Sequence, residues 1–278
     1  MARDLTISEI EELGYYDFMA YLKVPFFNIG GTPSLELLAQ RCGIDENSHI
    51  LDVGCGTGGN SAYLAEKYGC RVTGIDISDL MVERANERVV SSGLDDRLSF
   101  SVGNAYDLDF SDGTFDVVMT VFVSQFLDLG KAFPEFSRVL KDGGWLGVNE
   151  MYRADDVPED LVGKVDLGED VYRELTGLPF AVRTPSLWET GFRDSGFKEV
   201  SVESFTNVVT VSKGLDMIQD FGGWGVLLSS LWQVLKLGVQ SRKMWKKFGK
   251  MSEGKRVLLN DRETAQYIGY VLGVGRKG

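Results

Sequence analysis

The sequence predicts an α/β fold: a doubly wound, mostly parallel sheet of seven strands, with an N-terminal helical lid and a helical cap inserted late in the chain. Three observations carry this expectation. From residue 49 to residue 150, short apolar runs alternate with amphipathic stretches, as parallel strands joined by right-handed crossovers require. A glycine cluster, Gly54 to Gly59, directly follows the first apolar run. After residue 150 the alternation breaks, and roughly 55 residues separate the last two strand-like runs, far more than a hairpin needs.

The elements follow in order. Residues 4–20 carry Leu5, Ile7, Ile10, Leu13, Phe18 and Met19 among acids and read as short helical pieces. Residues 34–43 read as a helix capped by Ser34 and stopped by Gly43. Strands are expected over 50–53, 71–76, 98–102, 115–123 and 144–150. The fourth of these is almost wholly apolar, as burial on both faces demands. Helices are expected over 60–68, 78–92 (capped by Ser78 or Asp79, closed by Gly93) and 130–140. Residues 155–174 hold eight acids against two bases and read as a solvated helical insertion. A helix over 185–195 with Ser186 as its cap, a strand over 197–211 and a final strand over 267–274 complete the pattern. The expected organisation is a lid over 1–33, a core over 34–211, a cap over 212–264 and the final core strand over 265–278.

Composition narrows the function. A chain of 278 residues with 44% hydrophobic residues is enough to bury one substantial core, or one core plus a small cap. The net charge of −12 repels nucleic acid. Cys42, Cys55 and Cys70 show no CxxC spacing, and His49 is the single histidine, so neither a His/Cys metal site nor a disulfide framework is indicated. His49 itself reads as a surface residue ahead of a strand. The N-terminus, MARDLTISEIEELGYYDF, is acidic and has no apolar core, so it is not a signal peptide. The apolar stretch from Trp224 to Leu235 is interrupted by Gly225 and Ser229–Ser230 and is too short to span a bilayer. A cytoplasmic protein is expected.

The segment ILDVGCGTGG, residues 50–59, places a glycine turn at the end of a strand, where backbone N–H groups face a ligand. Gly54, Gly56 and Gly59 satisfy GxGxxG, which alone is weak. Asp52, two residues before Gly54, suits a cationic amino group and would repel a pyrophosphate. Asp76 ends the second strand at the spacing of an acid that takes both hydroxyls of a ribose. Val102-Gly-Asn-Ala-Tyr106 offers an amide side chain and backbone groups to the edge of a base.

With TGIDIS and Met81 after it, VGNAYDLDFSDGTFDVV and SRVLKDGG, these stretches resemble the class I S-adenosylmethionine-dependent methyltransferases over residues 28–150. The last two look like the quinone and sterol methyltransferase subgroup. The resemblance implies a Rossmann-like core and S-adenosylmethionine as cofactor. It implies that Asp52, Gly54 and Gly56 hold the methionine part and Asp76 the ribose. Ile77, with Met81 nearby, would pack on the adenine, and Asn104 and Ala105 would meet its edge. Asn104 stands where the family usually has Asp; its amide oxygen still accepts a hydrogen bond.

The acceptor is less defined. Methyl transfer is an in-line displacement in which the protein mainly positions the acceptor and excludes water. The run Thr120-Val-Phe-Val-Ser-Gln125 lacks the Asn/Asp-Pro-Pro-aromatic pattern of nucleic-acid amino methyltransferases, which favours a small molecule. Tyr16, Tyr21 and Gly30 are lid candidates, with Gly30 near the cofactor's amino-acid end and Tyr16 also a catalytic candidate; core packing is the alternative for the tyrosines. Glu150, Gln125 and Tyr152 are acid–base candidates by position at strand ends; a solvated carboxylate is the alternative for Glu150. Residues 236–256 hold eight bases against Glu253 alone. Two readings stand for residues 232–256: a solvated cap, or peripheral contact with a membrane or lipid-like acceptor. A non-catalytic S-adenosylmethionine-binding protein is a further alternative, and Asp52 argues against an NAD-dependent oxidoreductase.

Overall fold

Runs of β-branched and apolar residues between glycine-rich turns build the sheet. A computed structural model of the chain describes residues 5–23, 30–206, 223–246, 248–249, 261 and 263–278. The strands are β1 (His49–Val53), β2 (Arg71–Asp76), β3 (Leu98–Val102), β4 (Phe115–Val121), β5 (Leu140–Arg153), β6 (Lys198–Thr206) and β7 (Ile268–Arg276). They form one seven-stranded sheet in the order β3-β2-β1-β4-β5-β7-β6. The first five pair in parallel, and β7 runs antiparallel between β5 and β6. The order reverses between β1 and β4, so the crossovers leave to opposite faces and open a crevice at the strands' carboxyl ends.

The helices are α1 (Ile7–Glu12), α2 (Tyr15–Tyr21), α3 (Gly31–Arg41), α4 (Gly59–Tyr68), α5 (Asp79–Ser92), α6 (Leu129–Val139), α7 (Glu159–Thr176), α8 (Pro185–Asp194) and α9 (Gly223–Gln240). One face of the sheet buries Val72, Val117 and Met119 against Leu35 and Leu38 of α3, Leu64 of α4 and Ala85 of α5. The other buries Leu51, Val118 and Val148 against Phe133 and Phe136 of α6 and Trp188 and Phe192 of α8. The alternation of Val117, Val118 and Met119 between the two clusters is the period of two that a strand imposes. All three cysteines are buried and free.

Four expectations change. Ser34 does not cap α3: the helix begins three residues earlier, behind Gly30, and the buried Ser34 hydroxyl donates to Gly31 O and accepts from Asn149 Nδ2, each at 2.8 Å. Thr184, not Ser186, caps α8, because Pro185 fits the first helical position and moves the cap one residue ahead of it. His49 is half-buried rather than on the surface. Its Nε2 lies 3.0 Å from Thr73 Oγ1, its ring 4.6 Å from that of Phe115, and burial pushes its pKa down to about 4. The acid-rich helix α7 is not solvated all round: Val165 and Tyr172 pack with Met151, Phe180 and Ile268, and the buried Glu169 pairs with Arg173.

The cap packs on the N-terminal helices. Leu237, Met244, Val234 and Phe248 pack on Ile10, Phe18, Met19 and Leu22 and on Met81 of α5. Ser241 donates to Glu11, and Lys243 pairs with Glu12. The described part of the cap thus joins the N-terminal helices in one layer beside α5. Residues 24–29, 207–222 and 250–260, on which parts of the expected lid, sixth strand and cap fall, lie outside the described residues. No helix among the described residues is long and apolar enough to cross a membrane.

Candidate active site

The turn after β1 is built from left-handed glycines: Gly54, Gly56 and Gly58 have φ of 74°, 54° and 73°. The N–H groups of Gly54 and Cys55 both donate to Ile75 O, at 2.7 and 2.9 Å, which folds the turn over the end of β2. At Gly54 a Cβ would lie 2.3 Å from Val123 Cγ2, so the absent side chain is what lets the loop after β4 press on the turn. The Asp76 carboxylate ties the turn to α5, accepting from Gly56 N and Ser78 N, each at 2.9 Å. Burial raises its pKa, against the pull of these hydrogen bonds.

Beside Asp76 the surface is apolar and open. Ile77 is 77% exposed, and Val102, which pairs with Asp76 across the sheet, is 51% exposed. Asn104 follows in an exposed turn, where its Oδ1 accepts from Tyr106 N at 3.0 Å, with Ala105 between them. A partly open carboxylate next to two uncovered aliphatic side chains fits a ribose joined to a flat base. Gly30 (φ 92°) opens α3; a Cβ there would stand 2.7 Å from the Tyr270 ring and 2.8 Å from Ser34 Cβ.

Two predicted cofactor residues stand back from this edge. Asp52 is buried, accepts from Ser61 Oγ of α4 at 2.5 Å, and is pushed by burial to a pKa of about 7. Met81 is buried among the N-terminal helices.

The facing wall is the loop after β4. Phe122 holds φ of 63°, uncommon for a bulky side chain and a mark of local strain. Its N–H donates to Asn149 O at 2.8 Å. Glu150 lies fully buried beneath, its Oε1 accepting from Val123 N at 3.0 Å and Ser124 N at 2.7 Å; this overturns the reading of a solvated strand-end carboxylate. Burial raises its pKa to about 7 despite those bonds. Gln125 is equally buried and accepts from Met151 N through Oε1 at 3.1 Å, while its Nε2 finds no protein partner. Arg183 clasps the loop from outside, donating to Ser124 O at 3.0 Å and Leu127 O at 2.7 Å.

Tyr16 of α2 reaches this wall, its ring edge-on to Phe126 at 5.6 Å. Burial holds its hydroxyl pKa well above the ordinary value, reinforced by neighbouring Tyr15, Tyr172, Glu150 and Asp76. Tyr16, Gln125 and Glu150 are therefore brought together. Tyr21 stacks on Phe18 and Tyr152 packs in the sheet core, so neither joins them. Sequence reasoning missed Arg183 and Phe122: one is a lone arginine between helices, the other sits inside an apolar run read as strand.

Residues 51–148, from the first strand through the fifth, match the methyltransferase domain family. The matched stretch takes in the glycine turn, Asp76 and the loop after β4. Across this domain and its flanks, the chain is 32% identical to the sarcosine/dimethylglycine N-methyltransferase of Halorhodospira halochloris, over 61% of this chain and 58% of that protein. It is 26% identical to the sterol 24-C-methyltransferase of Clavispora lusitaniae, over 83% of this chain and 59% of that protein. The chain thus spans about three fifths of the length of these two relatives. Among solved structures it is similar to the [4+2]-cyclase SpnF (TM-score 0.68, 21% identity, 98% of this chain and 97% of that one). It is also similar to the Haemonchus contortus phosphoethanolamine N-methyltransferase 2 bound to S-adenosyl-L-methionine (TM-score 0.67, 20% identity, 99% and 60%). These structural likenesses show the shared fold.

Proposed function

We propose that the chain transfers a methyl group from S-adenosylmethionine to a small-molecule acceptor by in-line displacement. One observation carries the proposal: the Asp76–Ile77 edge and the Phe122–Gln125 loop both bear on the same glycine turn, from opposite sides of the crevice. The cofactor brings a sulfonium methyl that is already electrophilic, so the chain has to bind, orient and keep water out. Asp76 holds the ribose hydroxyls, Ile77 and Val102 cover the base, and Asn104 and Ala105 meet its edge. Gly54 and Gly56 admit the methionine part, with Gly30 at the start of α3 and Asp52 behind the turn.

On the acceptor side, Tyr16 and Gln125 are the groups placed to touch the acceptor. Glu150 spends one oxygen on two loop N–H groups and acts as a positioning residue, with Arg183 as its counterpart. The aromatic surround of Tyr15, Tyr16, Phe126 and Tyr172 supports an apolar or amphiphilic acceptor, and the basic segment 232–256 supports contact with lipid. The relatives named for sterols and for sarcosine support a small acceptor in general terms. Titration calorimetry with S-adenosylmethionine, its demethylated product and NAD, followed by a labelled-methyl screen over thiols, amines, phenols, quinones and sterols, tests the reading. Binding of the first two and label on one acceptor class is expected; binding of NAD alone overturns it.

A further inference from the structure

Helix α9 carries two apolar stripes, and the described residues use only one of them inside the molecule. Val234 and Leu237, continued by Met244 and Phe248, pack on α1, α2 and Met81. The second stripe is Trp224, Leu228, Leu231, Trp232, Leu235 and Val239, all exposed, with Trp232 at 69% and Val239 at 84%. At the helical rotation of about 100° per residue, these six fall within about 100° of arc, well round from the packed stripe. Single exposed apolar side chains are ordinary, but a contiguous stripe of this length marks an interaction surface.

Charge identifies the partner. From residue 223 to residue 249 the chain has no Asp or Glu, yet it carries Lys236, Arg242, Lys243, Lys246 and Lys247, within a protein of net charge −12. Lys243 is engaged by Glu12, while Lys236, Arg242 and Lys246 are exposed. A second copy would bring the same cations against the same face, and like charges brought together disfavour pairing. An anionic lipid surface answers both features: apolar side chains enter the acyl boundary, Trp rings sit at the headgroup level, and lysine and arginine heads meet phosphate.

We propose that α9 docks the protein peripherally on an anionic membrane surface through the Trp224–Val239 stripe. The opposite side of the same helix packs on α2, whose Tyr16 stands at the acceptor wall. Docking therefore brings that wall toward the phase in which an amphiphilic acceptor dissolves. This last consequence rests on the proposed function; the docking itself does not.

Sedimentation of the full chain with vesicles of phosphatidylcholine, alone or mixed with phosphatidylglycerol, tests it. At low salt the protein pellets with the mixed vesicles and about tenfold less with the neutral ones, its tryptophan emission shifts to the blue, and salt near about 0.5 M releases it. Leu231→Ser with Trp232→Ser removes exposed side chains only, so the variant keeps its circular dichroism and cofactor binding while pelleting falls about tenfold. Lys236→Glu with Arg242→Glu lowers pelleting at low salt in the same way. Absence of pelleting by the parent chain, or variants that pellet as fully as the parent, overturns the proposal. So does a concentration-dependent dimer that Leu231→Ser with Trp232→Ser dissolves, since the stripe would then belong to a second copy. Asp76→Ala should abolish or weaken cofactor binding without moving the pelleting, which keeps failure of the docking distinct from failure of the enzymatic reading.

Discussion

The two walls of the crevice are held by different means. On the side proposed for the cofactor the side-chain bonds are short in sequence and stay near solvent. Asp76 reaches Ser78 two residues on and Gly56 twenty residues back, and Asn104 turns onto Tyr106. On the side proposed for the acceptor the bonds cross the chain and are buried or partly so. Glu150 gathers two N–H groups of the β4 loop, Arg183 reaches that loop across 59 and 56 residues, and Asn149 meets Ser34 across 115. One wall leaves aliphatic surface and carboxylate capacity for a ligand to complete. The other is complete already, with its strain at Phe122 contained by the bonds around it. Changes on the acceptor wall should cost fold stability, and changes on the cofactor wall should cost affinity.

The largest effect tests the closed wall. Glu150→Ala leaves one buried and one partly buried N–H group unpaired beside a cavity and should lower stability by about 3–5 kcal/mol in urea unfolding. Cofactor affinity in the remaining folded fraction should stay within about twofold. Loss of affinity with unchanged stability would break the distinction between the walls.

Protonation gives the next effect. Glu150 is held at about 7 against an ordinary 4.5, so the folded state binds its proton more tightly than the unfolded chain. Stability from this group is whole below about pH 4.5 and is lost as pH rises through about 7. Across that window the parent should lose on the order of 3 kcal/mol relative to Glu150→Gln, which has no proton to release. Asp52, also at about 7, adds a parallel decline that both proteins share. Matching stability–pH curves for parent and variant would remove Glu150 from the account.

On the open wall, Asp76→Ala should weaken S-adenosylmethionine binding by about 1–3 kcal/mol in calorimetry. A smaller cost in stability is expected, since Gly56 N and Ser78 N can turn to water. Asn104→Asp should have the smallest effect, a change within about 1 kcal/mol and in the favourable direction, because a carboxylate is the stronger acceptor and still serves Tyr106 N. A tenfold loss of affinity would assign Asn104 a partner other than the cofactor.

The same contrast explains what could be read from the sequence. The order of β1–β5, the glycine turn and Asp76 were legible because strand, turn and acid lie within about thirty residues, in the local grammar of a βαβ unit. Arg183 was not, because nothing around it in sequence marks the carbonyls it serves. Ser34 misled, since a serine before an apolar run looks like a cap until Asn149 arrives to claim its hydroxyl. Glu150 was expected at a strand end, whereas β5 runs on to Arg153 and pairs there with β7, and the burial of its carboxylate depends on the loop above it and on Arg183 beyond. In α9 the apolar residues were visible, while their division into a packed and an exposed stripe depends on α1 and α2, more than 200 residues away.

Cys55 stands within the glycine turn, with its thiol buried. Burial, then the nearby Asp52 and Asp76, keep its pKa well above the ordinary value, so the native thiol holds almost no reactive thiolate. Alkylation must therefore wait for the turn to come apart, and its rate becomes a clock for local opening. A ligand filling the turn slows that clock. Cys42 at the C-terminal end of α3 and Cys70 at the foot of β2 lie outside the turn, so a single chain reports both the closure of its glycine turn and the steadiness of the scaffold behind it.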